Sequence, residues 1–387
     1  MKPIPYGKQS LSPEDINAVL KVLQSDWLTQ GPNIQAFEAA LAEYCGVKYA
    51  AAVMNATAAL HLACLALEVG ESDIVWTSSN TFLASANCAR YCGAAVDFVD
   101  ICSKTYNMSI KALEEKLQQA AEVNKLPKVV IPVHFAGQSC NMKAIRKLSD
   151  EYGFKIIEDA SHAVGGRYEN LPIGHCQYSD MTVFSFHPVK IITTAEGGMV
   201  VSNQKALIEK IKLLRSHGMT RDEALMEKPS EGAWYYEQVD LGFNYRITDM
   251  QCALGLSQLK QLDEFVQKRH ALVERYHQKL KDLPLILPYQ ASDNYSAYHL
   301  YVIQVDPAKT HKKRKEVFDY LRQANIGVNV HYIPVHLQPY YQRLGFKKGD
   351  YPKAEHYYDH VISLPLYYSL SEDEQDYVVE KITEALQ

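Results

Sequence analysis

Apolar and polar positions along the chain alternate between short apolar runs of strand length and longer stretches of helical period. Ser12, Pro13, Glu14 and Asp15 read as an N-cap, a proline at the first helical position and two first-turn acids, so a helix is expected from 13 to about 25. A turn at Gly31 and Pro32 opens a second helix, which Gly46 stops. From there the chain reads strand "YAAAVM", helix "ATAALHLACLALE", strand "DIVWT", helix "TFLASANCARYC", strand "AAVDFVD". It continues with "KVVIPVHF", a helix over 141–152 closed by Gly153, "FKIIEDAS", a hairpin-like "RYENLPIG", "MTVFSFH" and "GGMVVSN". The runs at 129–133 and 154–158 are apolar without alternation, as strands buried on both faces require. Residues from about 35 to 240 thus predict a doubly wound α/β domain, with crossover helices around a parallel sheet.

Beyond Thr248 the pattern changes. One long amphipathic helix is expected over 249–283, followed by "HLYVIQVD", a basic-rich helix after Thr310, "IGVNVHY", "HVISLPL" and a C-terminal helix. Shorter sheet content predicts a smaller α+β domain. The division expected is 1–245 for an N-terminal arm and large domain, and 246–387 for the connecting helix and small domain.

Composition narrows the partners. The chain has 387 residues, 47% hydrophobic and 22% charged, ordinary for a soluble globular protein with a sizeable core. No apolar run approaches membrane-spanning length, and "MKPIPYGKQS" lacks a signal-peptide core, so a cytoplasmic protein without a membrane partner is expected. The net charge of -5 is spread without blocks, which argues against nucleic acid and for a small ligand. Eight cysteines stand singly with no CxxC or zinc-like spacing, so reduced thiols and no metal are expected.

Ligands of open parallel sheets bind at the carboxyl ends of strands, so polar residues just after strands carry the most information. After "YAAAVM" come the small residues Asn55, Ala56, Thr57, Ala58 and Ala59, a helix start suited to a phosphate. After "FKIIE" come Asp159, Ser161 and His162; after "TVF" come Ser185, His187 and Lys190. An anion cradle, an acid beside a histidine and a lysine beside a hydroxyl are together what pyridoxal 5'-phosphate needs. Each has a plainer reading taken alone: a packed helix start, a capping Asp159, a structural His162, a solvated Lys190. No GxGxxG follows the first strand, and no Walker, GxSxG or HExxH motif is present.

The stretch "DASHAVGGRYENLPIGHCQYSDMTVFSFHPVKIITTAEGGMVVSN" resembles the DegT/DnrJ/EryC1/StrS sugar aminotransferases, and "LTQGPNIQAFEAALAEYCGVKYA", "HGM", "LGFNYRITDMQCALGLSQL" and "VHYIPVHLQPYY" extend the resemblance over essentially the whole chain. It implies fold type I, a pyridoxal-phosphate cofactor and a homodimer with shared active sites. Lys190 would be the lysine joined to the cofactor aldehyde, Asp159 the partner of the pyridine nitrogen, and His162 the group near the ring hydroxyl. Ala56, Thr57 and Ser185 would hold the phosphate, Phe82 would stack on the ring, and Asn244 would reach the phosphate of the neighbouring subunit. Tyr6, the segment Asp26, Trp27, Leu28 and Thr29, and the segment Val330, His331 and Tyr332 match positions that line the sugar nucleotide. Tyr6 pinning the arm and Trp27 in the core are the alternatives.

Within the family, "SFHPVK" with "ITTAEGG", "LRSHGM" and "DASHA" is most similar to the branch serving pseudaminic acid, flagellin glycosylation and surface polysaccharide. That branch aminates C4 of a UDP-linked 4-keto-6-deoxy-N-acetylhexosamine, with L-glutamate the expected donor. The alternatives are another nucleotide-linked keto sugar, or a pyridoxal-phosphate-binding regulator without turnover. Two departures stand out: Ala56 where many relatives have glycine, and Ile191 where close ones carry proline. Family members with histidine in place of the lysine are dehydratases; here Lys190, not His187, has the aminotransferase spacing to Glu196 and "GG".

Overall fold

The computed structural model describes residues 2–387. Along the chain, β1 (Tyr49–Val53), β2 (Ile74–Ser78), β3 (Ala95–Val99), β4 (Val129–Ile131) and β5 (Lys155–Asp159) precede a hairpin of two short strands, β6 (Arg167–Tyr168) and β7 (Leu171–Pro172). Then come β8 (Met181–Ser185) and β9 (Gly198–Ser202), the short pair β10 (Met219–Thr220) and β11 (Glu237–Gln238), and finally β12 (Leu285–Ile286), β13 (Asn294–Tyr295), β14 (Tyr301–Val305) and β15 (Val361–Leu364).

Seven strands form the large sheet in the order β1-β9-β8-β5-β4-β2-β3. Both faces are covered, which is why its strands lack polar alternation. Ala51 and Val53 of β1 join one core with the helix Ala56–Ala66, while Ala50 and Ala52 face another with the helix Pro32–Cys45. Side chains on a strand alternate faces, so both sets must be apolar. One element departs from the expected parallel sheet: β9 runs antiparallel to both β1 and β8. The segment from β8 to β9 carries no crossover helix, so the chain returns beside the strand it has just left.

The first helix, Pro13–Leu23, starts as expected in a capping box. Asp15 N–H reaches Ser12 Oγ at 3.2 Å, and Ser12 N–H reaches Asp15 Oδ2 at 2.9 Å. The "RYENLPIG" hairpin forms, turning through Glu169 and Asn170, both at positive φ.

Two expectations fail beyond Thr248. The single long helix is two, Asp249–Leu259 and Leu262–Leu280, separated by Lys260 and Gln261. The first buries Cys252 against the large-sheet core; the second continues along that core with Leu262, Phe265 and Val266 before burying Leu272, Val273, Tyr276 and Leu280 in another. "IGVNVHY" is not a strand. Ile326 bridges to Ile4 of the arm and Asn329 to Ser363 of β15, which divides its backbone between two partners. The small sheet is β12-β14-β15, antiparallel. No helix among the described residues is long and apolar enough to cross a membrane.

Candidate active site

The strand ends singled out above meet because β1, β9, β8 and β5 are consecutive neighbours in the sheet. Past β1, Asn55 caps the helix Ala56–Ala66, its side-chain oxygen accepting the Ala58 N–H at 2.8 Å. The N–H groups of Ala56 and Thr57 fall in the first turn, where a helix has no internal acceptor, so they and the positive end of the dipole are open to an anion. Gly198 pairs in register with Val53 on one side and with Ser185 on the other. A Cβ there would lie 2.5 Å from the Asn55 carbonyl carbon and 2.6 Å from the Ala56 nitrogen. Only a residue without a side chain lets the helix start close onto the sheet beside Ser185.

Lys190 lies on the connection between β8 and β9, which is tied at its base. The Phe186 carbonyl accepts the Thr194 N–H at 3.0 Å and the Thr193 hydroxyl at 2.9 Å, and the Phe186 N–H reaches the Gly197 carbonyl at 2.9 Å. The exposed His187 shapes the turn: its carbonyl accepts the Lys190 N–H at 2.9 Å. Ile191 and Ile192 anchor the far side in the core, so isoleucine after the lysine serves packing. Burial pushes the Lys190 amine from its ordinary 10.5 to about 8, against the opposing pull of the Asp159 carboxylate.

Asp159 closes β5 and is 4% exposed. Its Oδ2 accepts the Ser85 hydroxyl at 2.6 Å; its Oδ1 accepts the Ser161 hydroxyl at 2.6 Å and the Ser161 N–H at 3.1 Å. Three donors fix the carboxylate's orientation. His162 is buried, and its Nδ1 accepts the Ala136 N–H at 3.3 Å. A neutral ring with an accepting Nδ1 carries its proton on Nε2, which stands 3.0 Å from the Tyr332 hydroxyl. Burial, then the charges of Lys190 and His331, hold His162 well below the usual histidine range.

Near His162 lie four of the eight residues expected at the substrate, Tyr6, Val330, His331 and Tyr332. The Tyr332 N–H donates to Asn80 Oδ1 at 3.2 Å, and the exposed Phe82 ring lies 6.1 Å from the Tyr332 ring. His331, pushed down to about 3 by burial and then by Lys190, holds the Ser363 hydroxyl at 2.7 Å and faces the Tyr6 ring at 5.5 Å. Val330 packs against the core beside them. The segment Asp26, Trp27, Leu28 and Thr29 does not join this group: it is exposed, with Trp27 at 60%, so Trp27 is not a core residue. Asn244 is also exposed, on a bridge to Ser216.

Sequence reasoning missed Ser85, Asn80 and Ala136. The signal for Asn80 was the polar run "TSSNT" at the end of β2, a strand end like those searched; Ser85 lies inside the helix Ala84–Tyr91, where no strand-end signal points to it. Ala136 contributes only its backbone, which no side-chain pattern reveals.

A phosphate cradle, an oriented buried carboxylate and an amine of lowered basicity fit the parts of pyridoxal phosphate, and on this sheet they define an aminotransferase of that cofactor. The DegT/DnrJ/EryC1/StrS aminotransferase family matches residues 9–383, and the chain belongs to it. Similar proteins include the spore coat polysaccharide biosynthesis protein SpsC of Bacillus subtilis (strain 168), 41% identical over 382 residues, covering 98% of this chain and 96% of that protein. The UDP-4-amino-4,6-dideoxy-N-acetyl-beta-L-altrosamine transaminase of Campylobacter jejuni subsp. jejuni serotype O:2 is 38% identical over 383 residues, covering 99% of this chain and 97% of that protein. Helicobacter pylori PseC, an aminotransferase involved in the biosynthesis of pseudoaminic acid, superposes with a TM-score of 0.90 at 33% identity, covering 100% of this chain and 99% of that one. The chain is a sugar aminotransferase, and pyridoxal 5'-phosphate is its cofactor.

Proposed function

We propose that the chain transfers an amino group from L-glutamate to C4 of UDP-2-acetamido-2,6-dideoxy-β-L-arabino-hexos-4-ulose, giving UDP-4-amino-4,6-dideoxy-N-acetyl-β-L-altrosamine for pseudaminic acid. The observation that carries the chemistry is Lys190, an amine lowered to about 8 beside Asp159. The sugar is supported by the Campylobacter and Helicobacter proteins, similar over nearly their whole lengths.

Bound pyridoxal phosphate supplies the electron sink that makes a carbon-bound proton labile. Lys190 Nζ takes that proton from the donor and returns it at the sugar carbon; an amine titrating near the working pH is matched to both tasks, worth about 10²- to 10⁴-fold. Asp159, held by Ser85 and Ser161, would partner the ring nitrogen. The Ala56 and Thr57 N–H groups with Ser185 would hold the phosphate, Phe82 would cover one ring face, and neutral His162, fixed by its contact with the Tyr332 hydroxyl, would stand near the ring hydroxyl. Tyr6, Val330 and His331, with Asp26, Trp27, Leu28 and Thr29, line the sugar nucleotide. Two copies pair so that Asn244 of each reaches the other's phosphate; the exposure of Asn244, Trp234, Tyr236 and Leu241 on one chain supports this pairing.

The test is purified protein with pyridoxal phosphate, glutamate and a panel of UDP- and dTDP-linked 3- and 4-keto sugars, with products identified by mass and NMR. Preference for the L-arabino UDP sugar is expected; turnover of a dTDP sugar alone overturns it. The second reading, another nucleotide-linked keto sugar, is favoured by the 41% identity to SpsC.

A further inference from the structure

The second half of the connection that carries Lys190 rests on one face of the helix Asp249–Leu259. Residues 251, 255 and 258 are spaced by four and three, so they lie one above the other on that helix. Gln251 Nε2 donates to the Glu196 carbonyl at 2.7 Å. Gly255 lets the helix sit flush on the loop: a Cβ there would stand 2.7 Å from Thr194 Cγ2. Gln258 Oε1 accepts the Thr193 N–H at 3.3 Å. Thr193 is joined to Lys190 through the buried Ile191 and Ile192, so a hold on Thr193 is felt at the lysine.

Gln258 has a second hold. It is 1% exposed, and its Nε2 donates to Asp15 Oδ2 at 2.6 Å and to the Ser10 carbonyl at 2.9 Å. The orientation of the amide is forced, because the Thr193 N–H needs the oxygen while the carboxylate and the carbonyl need the NH2 group. The oxygen and both amide hydrogens are therefore engaged, as a buried amide requires. Upstream of Ser10 the N-terminal arm passes the lysine loop again at Gly7, where an added Cβ would lie 3.6 Å from Val189 Cβ. The Tyr6 carbonyl then accepts the Leu366 N–H at 3.1 Å, the Ile4 N–H reaches the Asn325 carbonyl at 2.9 Å, and the Ile4 carbonyl accepts the Gly327 N–H at 2.6 Å. The arm is seated on the small domain at one end and on Gln258 at the other.

We propose that Gln258 is a positioning residue for Lys190: one buried amide braces the lysine loop on its oxygen side and the N-terminal arm on its nitrogen side, so the seating of the arm sets where the lysine amine stands. This rests on reading Lys190 as the reacting amine. Gln258 touches no reacting atom in that reading and acts only through Thr193 and Ser10.

The consequence falls on rate. Proton transfer requires the amine within hydrogen-bond reach of its target, and a misplacement of about 1 Å caused by a change away from the reacting atoms costs about a hundredfold. The bonds of Gln258 include neither the helix start at Ala56 nor Asp159, so its loss spares the groups expected to grip the cofactor.

Two measurements on the full-length protein separate the brace from the reading of Lys190. Borohydride reduction of the protein loaded with pyridoxal phosphate, followed by peptide mapping, should label Lys190. A label on another lysine overturns that reading and with it the role for Lys190, while amide exchange still shows whether the brace exists. Hydrogen–deuterium exchange is then read at the amides of Thr193, held by Gln258, and Leu366, held by the arm. Gln258→Met removes all three bonds at similar volume and should speed exchange at both amides about two- to twelvefold, the worth of one hydrogen bond. Gln258→Glu keeps an acceptor for Thr193 and loses the NH2, so only Leu366 should exchange faster. Turnover per bound cofactor should fall about ten- to hundredfold in Gln258→Met and by less in Gln258→Glu, with pyridoxal phosphate affinity near the parent's. Parental exchange at both amides in Gln258→Met, parental turnover despite faster exchange, or a loss confined to cofactor affinity would overturn the proposal. If Gln258→Met does not fold, Gln258→Glu decides, and parental exchange at Leu366 or parental turnover with Leu366 loosened sinks it.

Discussion

Gly198→Ala tests the anion cradle at the point where β9 touches both of its walls. The added Cβ would stand 2.5 Å from the Asn55 carbonyl carbon and 2.6 Å from the Ala56 nitrogen and the Asn55 oxygen, all backbone atoms. No side-chain rotamer can relieve such contacts. Carbon contacts settle near 3.5 Å, so the helix start has to retreat by about 1 Å. Overpacking of this kind costs about 1–3 kcal/mol of stability. A retreat of that size also breaks a hydrogen bond from the helix start to a phosphate, and one bond to a charged group is worth about 1.5–3 kcal/mol, or roughly 12- to 150-fold in affinity. The assay is titration of pyridoxal phosphate into cofactor-stripped protein, followed by absorbance, beside a thermal melt. Gly70→Ala is the control, since a Cβ there meets nothing within 4 Å. Gly198→Ala should weaken binding about tenfold or more and melt earlier, while Gly70→Ala stays near the parent. Parental affinity in Gly198→Ala, or equal losses in both variants, would refute the argument.

Further outcomes follow from the same geometry. Lys190 is held near 8 in the fold against an ordinary 10.5, so the unfolded chain binds more protons between these values and the cofactor-free protein gains stability as pH rises through that window. Lys190→Met should therefore melt above the parent below pH 8, with the gap closing toward 10.5; parallel melting curves across that range would dismiss the shift. Ser85→Ala removes the 2.6 Å donor on Asp159 Oδ2, worth about 1.5–3 kcal/mol, and should weaken pyridoxal phosphate binding about tenfold or more in the same titration. Glu38, 5% exposed, accepts from Arg215 at 2.6 Å, Lys212 at 2.7 Å and the Ala52 N–H at 2.9 Å. Glu38→Ala leaves Arg215 without its carboxylate and should cost about 3–5 kcal/mol in denaturant unfolding; a loss below about 1 kcal/mol would mark the cluster as an ordinary surface pair.

Much of the scaffold was legible because it follows local rules. Ser12 and Asp15 cap their helix, Gly46 ends the next, and apolar runs without alternation lie in a sheet covered on both sides. Lys190, Asp159 and His162 could be singled out because they follow strands, where the fold class concentrates ligands, and the structure brings those strand ends together. What escaped the sequence depends on long-range packing. The "GGMVVSN" run reads the same whichever way the strand points, so nothing marked β9 as antiparallel. The break at Lys260 and Gln261 carries no proline or glycine, so no breaker residue marked it in an otherwise continuous amphipathic pattern. Ser85 became visible only when the helix Ala84–Tyr91 settled against β5. Asp26, Trp27, Leu28 and Thr29 remain on the surface of a single chain, and their expected role needs the second copy or the bound nucleotide.

The reversed direction of β9 has a consequence for how such enzymes diversify. Lys190 rides on the tip of a hairpin whose two legs are hydrogen-bonded neighbours, not on a crossover threaded through the sheet. Both attachment points are clamped and Ile191 and Ile192 hold the far side in the core, so the room for change lies in the turn around the exposed His187. A fold wired this way confines variation around position 190 to one loop, while the strands on either side keep their register.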